Sequence, residues 1–135
     1  MCFGNENNML LSRGGDATLK VWDVRKFQQP LKVFDELEND YPQTDAIFNP
    51  SGDIFVTATS NKSKDGKGLL VFFDQVKLEK VSSVVVTDES AIRVQWNSHI
   101  NQVWILKINI HLVYSFIILS IAHSLFYLKK IRSLW

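Results

Sequence analysis

The sequence predicts an all-β chain built from repeated antiparallel hairpins, and three observations predict it. Short β-branched and aromatic runs alternate apolar with polar positions over residues 1–106. Clusters of Gly, Asn, Asp, Ser and Pro separate those runs, as turns between strands require. The pattern also recurs: Phe48 stands 48 positions before Trp96, and Asp23 stands 51 before Asp74.

The elements follow in order. Met9–Ser12 is a short apolar strand, and Arg13-Gly14-Gly15-Asp16 supplies turn residues for a hairpin. In Thr18-Leu19-Lys20-Val21-Trp22, Leu19 and Val21 fall on one face and Thr18, Lys20 and Trp22 on the other, the signature of a half-buried strand. Pro30–Phe34 reads as an outer strand, where a leading proline removes no ladder hydrogen bond. The grammar repeats in Ala46–Phe48, a turn at Asn49–Asp53, a strand Ile54–Thr59, a polar loop Ser60–Gly68 and a strand Leu69–Phe73. A third copy opens with Ile92–Trp96, turns through Asn97–Asn101 and enters Gln102–Ile105.

Composition narrows the function classes. The 135 residues carry 15 Lys+Arg and 14 Asp+Glu, a near balance that gives no electrostatic reason to bind nucleic acid. With 46% hydrophobic and 21% charged residues the chain can build a core. One cysteine, Cys2, forms no internal disulfide and no multi-thiolate metal site, and no secretory leader pattern opens the sequence, so an intracellular compartment is expected.

Ser12-Arg13-Gly14-Gly15-Asp16-Ala17-Thr18-Leu19-Lys20-Val21-Trp22-Asp23 resembles the strand-turn-strand signature of the WD-repeat family, ending in its Trp-Asp pair. With Phe48–Asp53 and Leu70–Asp74, the likeness is greatest to the gastrulation-defective homologue group. The resemblance implies a partial β-propeller of about two to two and a half blades, at approximately 1–37, 38–87 and 88–106. It implies further sectors beyond these residues, and hence poor independent folding, because a lone repeat cannot bury its faces. It also implies a buried network in which Ser12, Asp16 and Trp22 take three roles, the fourth belonging to a histidine of a loop before residue 1. Such a network is needed because a buried indole N–H without an acceptor costs about 1–3 kcal/mol. In the second copy Phe73-Asp74 replaces Trp-Asp and removes that donor.

By the same resemblance, Trp22-Asp23-Val24-Arg25 has the Trp-Asp-any-Arg form that meets the propeller adaptor of cullin-4 ubiquitin ligases in substrate receptors. Arg25 is the contact residue on that reading, since a planar guanidinium makes paired charge-assisted hydrogen bonds that a lysine cannot. The alternative is a solvated arginine after a structural Trp-Asp pair. The implied function is a non-enzymatic, nuclear interaction scaffold, otherwise a cytoplasmic one, with protein partners and no cofactor.

The remaining candidates read as surface. Asn61–Gly68 has three lysines but lacks the glycine and lysine spacing of a phosphate loop. Asp35–Asp40 places four acids in six positions, either facing a basic partner or keeping an interblade loop wet. His99, His111 and His123 form no nucleophile–base arrangement, and no metal-ligand spacing occurs.

Residues 107–135 differ from the rest. They contain no Gly, Pro, Asp or Glu, 15 of the 29 are Ile, Leu, Phe or Tyr, and they hold four of the basic residues, +4 against −3 for residues 1–106. As a helix, Ile108–Leu128 would span about 31 Å, enough for a hydrocarbon core of about 30 Å. The tail is expected to be helical, and three readings of it stand side by side: a gene-model artefact such as translated intron, a membrane helix tethering the β domain, or a helix or strand packed on the partial sheet.

Overall fold

The computed structural model describes residues 2–3, 8–41, 44–61, 66–88, 90–97, 99, 102–108 and 115–120. Among them every regular element is a strand: β1 Cys2–Phe3, β2 Met9–Arg13, β3 Leu19–Asp23, β4 Lys32–Phe34, β5 Ala46–Phe48, β6 Ile54–Ala58, β7 Gly68–Asp74, β8 Glu79–Thr87, β9 Ser90–Trp96, β10 Gln102–Ile108 and β11 Ser115–Ser120. They form three antiparallel meanders in chain order, β1-β2-β3-β4, β5-β6-β7-β8 and β9-β10-β11.

Alternation places the side chains as period-two reasoning requires. Leu11, Leu19 and Val21 face the second sheet and pack with Phe55, Val71, Phe73 and Ala46, all buried. From the opposite face of the second sheet, Val56, Ala58, Leu70 and Phe72 pack against Ala91, Val94, Val103 and Ile105 of the third. Phe55 anchors the first of these cores, stacked on Phe73 at 5.0 Å and tilted against Phe34 at 6.0 Å. Three meanders stacked face to face are the arrangement of adjacent propeller blades.

The turns show why the repeat is regular. Asn49 N–H donates to the Ile54 carbonyl at 2.9 Å, and Asn97 N–H donates to the Gln102 carbonyl at 3.0 Å, so the two copies close with the same hydrogen bond. The Asn49 carboxamide oxygen also accepts from Asp53 N and Ile54 N at 3.1 and 3.2 Å, and Gly52 supplies the left-handed residue at φ 70°. The turn between β2 and β3 works differently from expectation. Neither Gly14 nor Gly15 adopts a positive φ; Ala17 does, at 57°. Asp16 Oδ1 accepts from Thr18 Oγ1 at 2.8 Å and Thr18 N at 3.3 Å, and this local bonding holds the bend.

The helical expectation for the tail is corrected where the tail is described. Ser115–Ser120 is a strand paired antiparallel with β10, Lys107↔Ser115 through Gln102↔Ser120. The unmet hydrogen-bonding edge of β10 gives this Ile/Leu-rich segment a ladder partner, which a helix would forgo. β10 itself runs on to Ile108. Among the described residues no helix is long and apolar enough to cross a membrane. Residues 109–114 and 121–128, the remainder of the proposed span, and residues 129–135 after it lie outside the described residues.

Candidate protein-interaction surface

Trp22 stands at the end of β3, diagonal to Ser12 across the β2–β3 pair, in which Leu10 faces Trp22 and Ser12 faces Lys20. That placement lets Trp22 Nε1 donate to Ser12 Oγ at 2.8 Å. Asp16, expected in the same network, is not brought to this pair. Its carboxylate accepts from Lys20 Nζ at 2.8 Å and from Thr18, and the Lys20 bond leads the causes that hold its pKa down at about 2.

The second sheet explains what losing the indole entails. Phe73 pairs with Phe55, so Thr57 occupies the diagonal position that Ser12 holds in the first sheet. With no indole to accept from, Thr57 Oγ1 donates to the Asp45 carbonyl at 2.9 Å. Asp23 and Asp74, by contrast, keep one job. Each ends its strand and accepts from backbone N–H groups of the following turn: Arg25 N at 2.9 Å for Asp23, and Val76 N and Lys77 N at 2.9 Å for Asp74.

Arg25 lies in that turn. Its Nε donates to Asp23 Oδ1 at 3.0 Å and its Nη2 to Asp23 Oδ2 at 2.8 Å, a two-point clamp on a side chain 67% exposed. Arg25 hydrogen bonds hold the Asp23 carboxyl at about 2, and Asp23 in turn raises the arginine pKa. One edge of the guanidinium is thereby fixed, while Nη1 makes no hydrogen bond among the described residues. A planar cation held on one edge presents the other to an incoming carboxylate or carbonyl with little orientational freedom left to lose. Phe27 stacks on Trp22 at 4.9 Å and is itself 55% exposed, and Val24, next to Arg25 in the chain, is exposed as well.

No family model matches the chain. Over 103 residues it is 44% identical to WD repeat-containing protein 70 of Xenopus laevis, covering 76% of this chain and 17% of that protein. The protein of the same name from Bos taurus is 40% identical over 93 residues, 69% of this chain and 14% of the relative. Gastrulation defective protein 1 homolog of Drosophila melanogaster is 29% identical over 103 residues, 76% and 16%. A chain in the crystal structure of the mitotic checkpoint complex superposes with a TM-score of 0.64 at 16% identity, covering 78% of this chain and 30% of that one, and speaks to fold alone.

The chain belongs to the WD-repeat family. It spans about a sixth of the length of the relatives it matches. Its sheets are WD-repeat sheets, and a protein-interaction scaffold is the function that family supports.

One feature of this WD-repeat surface had no clear sequence signal. Arg13 lies between sheets: Nη1 donates to the Thr18 carbonyl at 3.1 Å, and Nη2 to the Leu37 and Glu38 carbonyls at 2.8 and 3.1 Å. Burial lowers its pKa to about 10, against the pull of Asp16. Arg13 thus tethers the acidic segment that links the first two sheets, and there Leu37 and Asn39 are buried. The acids of that segment flank a fixed backbone. Among the described residues no group of three or more His, Cys, Asp or Glu is placed to hold a metal ion. Residues 62–65 of the lysine loop lie outside the described residues.

Proposed function

We propose that this chain is part of a nuclear, non-enzymatic WD-repeat scaffold that meets the propeller adaptor of a cullin-4 ubiquitin ligase through Arg25. One observation carries the reading: the guanidinium is clamped by Asp23 on one edge and open on the other, at the end of a Trp-Asp strand. Exposed apolar neighbours Val24 and Phe27 supply desolvated area around the charge, the surroundings in which an interfacial arginine contributes most.

Co-precipitation with the purified adaptor tests it. Arg25→Ala is expected to lower recovery at least about tenfold, and Arg25→Lys to lower it as well because the fork is lost. Undiminished recovery with Arg25→Ala, in protein whose circular dichroism is unchanged, rejects the adaptor contact. Fractionation of cells expressing the tagged chain tests the nuclear location.

A further inference from the structure

The turn that carries Arg25 has a counterpart in the second sheet. Arg25 is the second residue after Asp23, and Val76 is the second after Asp74. Each offers its backbone N–H to that aspartate, Arg25 N to Asp23 Oδ1 and Val76 N to Asp74 Oδ1, both at 2.9 Å. The residues just before them are placed alike. Val24 N–H donates to the Asn8 carbonyl and Gln75 N–H to the Asp53 carbonyl, each acceptor lying between the first two strands of its own sheet. Arg25 and Val76 thus hold one backbone position in two successive repeats.

The two positions open on the same side of the stack. Asn39 Nδ2 donates to the Gly14 carbonyl in the turn between β2 and β3, and Asn39 Oδ1 accepts from Ser60 Oγ at 3.4 Å, in the connection between β6 and β7. Those two connections therefore lie together at one end of the sheets, and the turns at the far ends of β3 and β7, which hold Arg25 and Val76, lie together at the other. Sheets packed face to face are about 10 Å apart, a spacing that one partner surface of standard size spans.

The second turn makes Val76 project. Gln75 before it is buried, Leu78 after it packs on the Phe55 core at φ 52°, and Asp74 Oδ1 also accepts from Lys77 N at 2.9 Å. Pinned on both sides, Val76 is nevertheless 87% exposed, more than any other large apolar side chain among the described residues. Its sheet has the first sheet on one face and the third on the other, so a bare sheet face does not account for that exposure.

We propose that Val76 is a second, specificity-determining contact for the partner that takes Arg25. The adaptor meets this chain across two repeats, with a carboxylate or carbonyl for the guanidinium and an apolar dimple for the valine. This inference rests on the Arg25 reading. The two contacts select differently: the first for charge and a planar fork, the second for a compact branched aliphatic group. The second also rejects a charge of either sign, because an ion seated there would lose water without gaining a counterion. The fixed turn leaves little conformational freedom to be lost when Val76 is covered.

Titration of the 135-residue chain against the purified adaptor tests it. Val76→Asp and Val76→Lys are each expected to weaken binding at least about tenfold and Val76→Thr about threefold, while Val76→Ile binds like the wild type. Weaker binding by Arg25→Ala, with wild-type affinity in Val76→Asp and Val76→Lys, overturns the Val76 contact and leaves the Arg25 reading standing. Loss with Val76→Asp but not with Val76→Lys is an effect of charge alone and overturns it as well. Undiminished binding by Arg25→Ala, or a wild-type chain that does not bind the adaptor, rejects the Arg25 reading and the two-repeat contact with it.

Discussion

Replacing Trp22 by Phe turns the first sheet into a copy of the second at that position, which makes the effect calculable. The substitution removes the Nε1 donor that reaches Ser12 Oγ at 2.8 Å and leaves the hydroxyl half-buried. One hydrogen bond of this kind is worth about 1 kcal/mol net, and smaller ring contact with Phe27 adds a fraction of that. We expect Trp22→Phe to cost about 1–2 kcal/mol, Ser12→Ala about 1 kcal/mol, and the pair less than their sum by about 1 kcal/mol. Urea unfolding of the four proteins, followed by far-ultraviolet circular dichroism, closes the cycle. If the two effects add to within about 0.3 kcal/mol, the indole–hydroxyl bond contributes nothing and the reasoning fails.

Other outcomes follow from the same geometry. Ala17→Gly is expected to stabilise the chain by up to about 1 kcal/mol in the same urea assay, because it relieves the left-handed strain at φ 57°. Gly52→Ala, at φ 70°, is expected to destabilise it by about 1 kcal/mol. Arg13→Lys keeps a charge but cannot reach the Thr18, Leu37 and Glu38 carbonyls together, so hydrogen exchange at Leu37, whose N–H donates to the Ala17 carbonyl, should quicken. Carboxyl resonances of Asp16 and Asp23 should titrate near pH 2, below the unfolded value of about 3.9. Since the folded pKa is the lower one, whatever the two pairs contribute is present above about pH 4 and disappears as pH falls through 2.

The sheets were legible in the sequence wherever alternation and turn chemistry agreed. Thr18–Trp22 and Ile54–Thr59 lie within a residue of β3 and β6, and the Asn49 and Asn97 turns announced their own strands. β8 was not legible: Glu79-Lys80-Val81-Ser82-Ser83 is polar and Val84-Val85-Val86 unbroken, so no period of two survives along an outer strand exposed over most of its length. The tail stayed open between helix and strand for a related reason. A long apolar run satisfies helix and strand alike, and only the β10 edge decides between them. At the candidate surface, the Trp22–Ser12 pair and the Asp23–Arg25 clamp lie in short-range sequence, but Asp16 turns to Thr18 and Lys20 because those partners are two and four residues away. Arg13 was hidden because two of its three carbonyl partners come from a segment 24 and 25 residues distant.

The two inner strands of the middle meander, β6 and β7, have no outside. Phe55 and Val56 are neighbours in sequence yet belong to separate cores, and the same holds for Val71 and Phe72. A one-residue slip in β6 would therefore exchange one greasy wall for another with no solvent penalty to resist it, so frame is policed from the ends, by the Asn49 loop and the Thr57 hydroxyl. Errors in those two polar anchors should scramble both walls together, and damage at a single residue would be felt across all three layers.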